Sequence, residues 1–365
     1  MPTILIMAGG TGGHIFPGLA LAEQLRRMGL AVHWLGAHGG MECRKVPEHG
    51  IELSTIRIRG VRNTGWKGWL TLPFRLLCAI REAMGHLRNI KPACAVSFGG
   101  YAAGPGGIAA WLKGIPLVVH EQNRVPGMTN RLLARLANTV FEAFDGSFRA
   151  NSRAIAVGNP VRGAFLDIPA PAQRFEARSD VPARLLVTGG SQGAEALNRL
   201  VPEALAMLPN ELRVQVRHQA GRDRVERTRS RYAMAEEDLR VEEFIEDMAE
   251  AFSWADLLVC RAGALTVSEI AATGIASILI PFPHAVDDHQ THNAEVLVNA
   301  GGAIILQEAE LNSELLAHEL GSLLADRPSL ARMADCARSV RRTDAAIRVA
   351  RACSQFASAL QGDVS

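Results

Sequence analysis

The amino-acid sequence predicts an α/β chain built from two Rossmann-like parallel-sheet domains, and three observations carry the prediction. Short β-branched or apolar runs alternate with longer helical runs along most of its 365 residues, as parallel sheets covered by helices require. A strand, a glycine-rich loop and a helix open the chain, and the same unit returns from residue 184. Between the two, residues 158–183 show little periodicity and are punctuated by Pro160, Pro169, Pro171 and Pro182, as a linker would be.

Taken in order, residues 3–7 form the first strand, GGTGGHIFPG the loop that follows and residues 19–28 a helix. The loop lacks the Gly-Lys-Ser/Thr of a P-loop. It lacks the dinucleotide fingerprint too, because Gly10 and Gly12 are not followed by glycine or alanine at position 15. Its bare backbone N–H groups can still approach an anion or a sugar. A second strand covers residues 31–35. From 64 to 81, TGWKGWLTLPFRLLCAIR mixes Trp66, Trp69 and Phe74 with Lys67, Arg75 and Arg81. Rings for an acyl boundary and cations for anionic headgroups suit an interfacial segment; a core helix with a basic outer face has the same composition. In the first reading Trp111 and Lys113 extend the patch. Further strands fall at 94–98, 116–120, 139–143 and 154–157. His120, Glu121, Gln122 and Asn123 stand at the carboxyl end of the second of these, where open α/β sheets bind ligands. Arg124, Arg131 and Arg135 follow, placed to meet an anion.

The second half repeats the pattern, with strand 184–187, loop GGSQGA, helix 197–208, strands at 214–218, 241–245, 256–260, 276–281 and 303–306, and three helices from 311 onward. Its most informative stretch is CRAGALTVSEIAATGIASILIPFPHAVDDHQTHN, residues 260–293. A strand ends there and passes through Gly263 into a helix over 265–273, with Thr266 and Ser268 beside the N–H groups of its first turn. Such a start carries partial positive charge and suits a phosphate. Glu269, an acid in an otherwise small and apolar helix, could accept both hydroxyls of a ribose; a helix-dipole partner or a solvated glutamate is the plainer alternative. Strand 276–281 leads to His284, Asp287, Asp288, His289, Gln290 and His292 in a loop. Of these, His284, Asp287, Asp288, His289 and His292 could ligate a divalent cation, but no regular ligand spacing supports a dedicated metal site.

Composition narrows the class. With 48% hydrophobic residues and mean hydropathy near zero, the chain reads as soluble and large enough for two cores. A formal net charge of +2 argues against a general nucleic-acid binder. The six cysteines form no CxxC, which fits a reducing cytosol. MPTILIMAGG is not a signal peptide, and glycines interrupt the uncharged stretch 92–112, so no membrane span is expected.

GGTGGHIFPGLALAEQL, SFGGYAAGPGGIAA, HEQNRVPGMTNR, VGNPVR, TGGSQGA and CRAGALTVSE with DDHQTHNA, spread in order from residue 9 to 294, resemble the MurG family of bacterial N-acetylglucosaminyltransferases. The resemblance implies a GT-B glycosyltransferase fold, two Rossmann-like domains facing a cleft. Residues 1–160 would be the lipid-acceptor and membrane-associating domain, 161–341 the UDP-N-acetylglucosamine domain, and 342–365 a C-terminal helix returning to the first. It implies a peripheral protein on the cytoplasmic face of the inner membrane, with UDP-N-acetylglucosamine, lipid I, an anionic membrane surface and cell-wall synthesis proteins as partners, and no cofactor. The membrane patch would be Trp66, Lys67, Trp69, Phe74 and Arg75. Thr11, Gly12 and Gly13 match the family's first glycine loop, Asn123 a position near the transferred sugar, and Arg162 and Ser191 positions close to the diphosphate. Ile245 would pair the uracil through its backbone. Ala264, Leu265, Thr266, Val267, Ser268 and Glu269 would form the helix start, with Glu269 on the ribose, and Gln290 would reach sugar hydroxyls.

The implied reaction moves N-acetylglucosamine to the muramyl 4-hydroxyl of lipid I, giving lipid II, with inversion at the anomeric carbon. It needs a base for the hydroxyl proton and positive potential for the departing diphosphate. Helix starts with Arg162 meet the second need without a metal. His14 is the candidate base, with positioning of the acceptor as its alternative role. A non-hydrolysing UDP-sugar epimerase and a non-catalytic sugar-nucleotide-binding scaffold are the competing functions; the missing fingerprint disfavours a nicotinamide oxidoreductase.

Overall fold

The computed structural model describes residues 1–58, 65–148, 153–178, 181–190, 193–209, 211–285 and 288–362. The chain divides into two compact units, residues 1–162 with 343–365, and residues 163–342.

In the first unit the described residues form seven strands: β1 (Thr3–Ala8), β2 (Ala31–Ala37), β3 (Glu52–Ile56), β4 (Cys94–Gly99), β5 (Leu117–Glu121), β6 (Thr139–Glu142) and β7 (Ala154–Ala156). They pair in parallel in the order β3-β2-β1-β4-β5-β6-β7. A parallel sheet is covered on both faces, so its inner strands are apolar throughout. Thus Ile4 and Ile6 join Leu21 and Leu25 of the helix Gly12–Arg27 and Val349 and Cys353 of Ala345–Gly362. Leu5 and Met7 face the other way, onto Ala79, Ala83 and Leu87 of Gly65–Ile90 and Ala103 and Ala109 of Ala103–Leu112. The C-terminal helix is therefore part of this unit's core.

In the second unit six strands among the described residues, β8 (Ala183–Thr188), β9 (Val214–Gln219), β10 (Leu239–Glu242), β11 (Leu257–Cys260), β12 (Ala276–Leu279) and β13 (Ala303–Ile305), run parallel in the order β10-β9-β8-β11-β12-β13. Leu185, Val187, Val259 and Ile278 meet Leu197 and Leu200 of Glu195–Leu205 and Leu316 and Leu320 of Ser313–Ala325. Both sheets thus use one winding, and each reverses direction beside its first strand, at β1/β4 and β8/β11. At such a reversal the loops leaving the carboxyl ends diverge and open a crevice.

Several expectations shift. The first helix begins at Gly12, earlier than residue 19, because the Thr11 carbonyl already accepts from the amides of His14 and Ile15 at 3.1 and 3.2 Å. Pro17 sits inside it at the cost of one backbone bond. The units part after Arg162, not at residue 160, and the Arg162 guanidinium lies 5.1 Å from the ring of Phe16 in the first unit. The strand expected to reach Ile245 ends at Glu242. Residues 289–299 form the helix His289–Asn299, so His289, Gln290 and His292 are helical and not in a loop. DDHQTHN hides this start, since the helix's buried side chains, Asn293, Ala294 and Leu297, come only after its first turn.

Candidate functional site

The loop after β1 meets the turn after β4. Gly100 has φ 90°, and a Cβ there would stand 2.3 Å from the Gly9 carbonyl oxygen, so only glycine lets these two turns touch. Thr11 is the N-cap of the first helix, Gly12 and Gly13 its first residues, and His14 therefore stands on a helical turn. Its Nδ1 lies 3.2 Å from the Gly9 carbonyl oxygen and 3.5 Å from Thr11 Oγ1. A carbonyl only accepts, which places the hydrogen on Nδ1 and the lone pair on Nε2. Nε2 lies beside Gly99, 3.4 Å from where a Cβ would be.

A buried carboxylate organises the neighbouring loop. Glu121 Oε1 accepts from Asn123 N and Nδ2 at 2.9 and 3.1 Å, and Oε2 from Gly127 N and Asn130 Nδ2 at 3.1 and 3.0 Å. Asn130 Oδ1 accepts in turn from Ser97 Oγ at 3.0 Å, and Ser97 Oγ from Gly99 N at 3.2 Å. Asn123 is thereby tied to the turn beside His14. His120 is internal: it packs on Phe98, its Nε2–H donates to the Gly158 carbonyl at 2.9 Å, and burial pushes its pKa down to about 4. It is a neutral strut and not an acid–base group.

In the second unit, Gly193 has φ 69° and a Cβ there would lie 2.0 Å from the Ala220 carbonyl oxygen, so the loop after β8 is pressed onto the end of β9. Ser191 lies outside the described residues. Gln219 spans this region: its Nε2 donates to the Gly190 carbonyl at 2.8 Å and its Oε1 accepts the Ile245 amide at 3.1 Å. A carbonyl on one side and an N–H on the other leave the amide one orientation. Ile245 is buried, past the end of β10, with its N–H given to Gln219. The neighbouring His218 lies 2.9 Å by Nε2 from Asn198 Oδ1 and 2.6 Å by Nδ1 from the Tyr232 hydroxyl, and burial pushes it down to about 3.

The helix Ala264–Thr273 starts at the carboxyl end of β11 with Gly263 as N-cap. The Val267 amide donates to the Gly263 carbonyl at 2.9 Å, so an anion would be met by the amides before it, those of Leu265 and Thr266. The Val267 side chain is core. The Ser268 hydroxyl is not turned to the helix start as expected; it donates back to the Ala264 carbonyl at 2.9 Å, satisfying itself locally. Glu269 is 6% exposed, which excludes a solvated glutamate. Gln290 Oε1 accepts from Ala262 N at 3.2 Å and Phe282 N at 2.9 Å, fastening the loops after β11 and β12 together. Arg261 serves the same edge, bonding the Ile280 and Pro281 carbonyls and pairing with Glu308 at 2.5 Å. Among the described residues no group of three or more His, Cys, Asp or Glu could hold a metal ion; Asp287 lies outside them.

The helices Gly65–Ile90, Ala103–Leu112 and Met128–Leu133 are neighbours in the first unit. Phe74, 71% exposed, Leu77, Trp111, Leu112, Met128, 75% exposed, and Leu132 stand on their surface beside Arg75, Lys113 and Arg131. Met128 and Leu132 are additions that no local composition betrays. The Trp66, Lys67 and Trp69 side chains lie outside the described ones. No described helix is long and apolar enough to cross a membrane.

The glycosyltransferase family 28 N-terminal and C-terminal domain models match residues 4–142 and 184–349. A relative from Alkalilimnicola ehrlichii, a UDP-N-acetylglucosamine–N-acetylmuramyl-(pentapeptide) pyrophosphoryl-undecaprenol N-acetylglucosamine transferase, is 53% identical over 350 residues, 96% of this chain and 98% of its own. One of the same name from Marinobacter nauticus is 51% identical over 354 residues, 97% of each. The crystal structure of Acinetobacter baumannii MurG is similar with a TM-score of 0.82 and 41% identity, covering 97% of this chain and all of that one. A UDP-GlcNAc 2-epimerase from Neisseria meningitidis, at 12% identity and a TM-score of 0.65 over 96% of this chain and 99% of its own, shares the fold alone.

Proposed function

The chain belongs to the MurG glycosyltransferases of family 28, and from that premise we infer that it transfers N-acetylglucosamine from UDP-N-acetylglucosamine to lipid I, giving lipid II for peptidoglycan synthesis. The observation that carries this reading is the 53% identity to a transferase of that name across both units. The epimerase alternative has only the shared fold behind it.

The site supports a division of labour. Residues 163–342 hold the donor: Leu265 and Thr266 offer amides to the diphosphate, Glu269 accepts the ribose hydroxyls, and the Gln290 NH2 meets the sugar, its oxygen being engaged. Because the Ile245 N–H is already given to Gln219, contact with the uracil falls to the Ile245 carbonyl. The first unit holds the acceptor, with Thr11, Gly12, Gly13 and Asn123 around it. His14 Nε2 takes the proton of the muramyl 4-hydroxyl as its oxygen bonds to the anomeric carbon. The bond from that carbon to the diphosphate oxygen breaks, and UDP leaves with the electron pair, inverting the centre. Arg162 and the helix start offset the charge that UDP carries away.

Incubation with UDP-N-acetylglucosamine labelled in the sugar, with and without a lipid I analogue and in the presence of chelator, tests the reading. Label in a β-linked disaccharide lipid, formed only with acceptor, is expected. A changed sugar configuration without acceptor would make it an epimerase, and binding without conversion a scaffold.

The exposed rings of Phe74 and Trp111 and the exposed Met128 side chain, with Lys113 and Arg131 nearby, support peripheral attachment to an anionic membrane surface on the cytoplasmic face. Changing Phe74 and Trp111 to Ser should lower binding to phosphatidylglycerol vesicles roughly tenfold, since each ring buries an apolar payload at the boundary. Unchanged vesicle binding would put the attachment elsewhere.

A further inference from the structure

Glu42 is fully buried on the short helix Glu42–Glu48, beneath the first glycine loop. Its Oε1 accepts from the Ala37 amide at 2.8 Å and its Oε2 from the Gly10 amide at 3.2 Å. The backbone is built around this one carboxyl group: a Cβ at Gly9, Gly36 or Gly40 would stand 2.2, 2.5 or 2.4 Å from its side-chain atoms. Among the described residues no cation pairs with it. A carboxylate is an expensive way to satisfy two backbone amides, because burying the charge costs more than burying a neutral acceptor.

What the charge does follows from the peptide it touches. The Gly10 N–H and the Gly9 carbonyl belong to one planar peptide unit, and that carbonyl accepts the Nδ1–H of His14 at 3.2 Å. An anion on the N–H side polarises the unit and makes its oxygen a stronger acceptor. We infer that Glu42 is a positioning residue for the transfer, acting through the Gly9–Gly10 peptide on His14. It fixes Nδ1–H as the donor, leaves Nε2 as the proton acceptor and stabilises the positive charge that the imidazole takes on. No proton moves along this relay; the hydroxyl proton stays on Nε2. The arrangement does with an interposed peptide what a carboxylate does when hydrogen-bonded directly to a catalytic imidazole. The inference rests on the reading of His14 as the base.

Other charged and titratable groups face the same loop. Glu121 is reached through Asn130 and Ser97, and its oxygens accept from Asn123, Gly127 and Asn130. Arg162 lies over Phe16, Tyr101 approaches Gly10, and Cys43 Sγ donates to the Ala37 carbonyl at 3.5 Å. None of them is altered in the test.

The test compares the full-length wild-type protein with Glu42→Gln, Glu42→Asp, His14→Ala and, as a control for lost packing, Val46→Ala on the same helix. Turnover is followed against pH, and the His14 imidazole and Gly10 amide are titrated by NMR. Removing the anion favours the neutral imidazole, so in Glu42→Gln the acid limb of kcat should move to lower pH by roughly one unit, with a plateau about tenfold lower and an unchanged KM for UDP-N-acetylglucosamine. Glu42→Asp should hold the limb near its wild-type place, and Val46→Ala should lower the melting temperature without moving it. In the wild-type protein, with no variant needed to fold, the Gly10 amide proton should shift as His14 titrates. A Gly10 signal flat across that transition, or a Glu42→Gln limb that stays in place, would overturn the relay and leave Glu42 a structural cap. Full turnover in His14→Ala would overturn the base reading itself, whatever Glu42 does.

Discussion

The two units repeat one strand order but support their loops with opposite chemistry. In the first, buried carboxylates collect backbone amides at the loop ends: Glu42 beneath the first glycine loop, Glu121 under Asn123, and Glu142, which accepts from Gly146 N at 2.7 Å and Phe148 N at 3.0 Å. In the second the same work falls to neutral amides. Gln219 bridges Gly190 and Ile245, Gln290 bridges Ala262 and Phe282, and Asn198 holds the Ala220 carbonyl at 2.9 Å. Both kinds of group satisfy loop amides, so folding alone does not choose between them. The ligands do. A diphosphate is repelled by an anion behind its loop, whereas a base that must become positive is helped by one. Two buried carboxylates of the second unit depart from this: Asp256, which accepts the Arg184 amide at 3.1 Å, is paired with Arg178 and Arg327 at 3.3 and 3.5 Å, and Glu269 stands on a helix, where its proposed ligand is a diol and not a phosphate.

The largest expected effect breaks the comparison at its catalytic end. His14→Ala should lower kcat on the order of a hundredfold or more and leave the KM for UDP-N-acetylglucosamine near wild type, because a general base acts in the transition state and, in the proposed division of labour, the donor is held by the other unit. Steady-state kinetics with donor and acceptor varied separately would read both. A raised donor KM with normal kcat would mean that His14 binds the diphosphate, and the assignment of anion binding to the amide-supported unit would fail.

Much of this was legible in the sequence, for a physical reason: strands covered on both faces read as continuous apolar runs, and these runs, together with the strand–helix alternation, located twelve of the thirteen strands among the described residues. The missed one, β3, is an edge strand with the half-polar sequence ELSTI, which gives no such run. The first helix was hidden by Gly12, Gly13 and Pro17, residues that argue for a loop until the Thr11 carbonyl is seen accepting two amides. Glu269 and Glu121 stood out as polar groups at strand ends or in apolar helices. Gln219 carries the same mark at the end of VQVRHQ and was passed over. Glu42 carries none, because what makes it matter is an amide 32 residues away and three glycines that only the folded backbone brings around it.

A smaller effect would sharpen the comparison by moving an acid to the amide-supported side. Gln219→Glu keeps an acceptor for the Ile245 amide but turns its second oxygen toward the Gly190 carbonyl, beside the loop that should meet the diphosphate. The KM for UDP-N-acetylglucosamine should rise about tenfold at pH 8 with kcat little changed, the scale of one lost charge-sensitive contact. The loss should shrink as pH falls, because a protonated glutamate again donates to Gly190 and no longer repels a phosphate. Gln219→Met, which removes both bonds without adding charge, should show a pH-independent rise. If the glutamate and methionine variants respond alike at every pH, then Gln219 matters only for holding the loops in place. The contrast between acids in one unit and amides in the other would then reflect loop geometry and not the charge of what each unit binds.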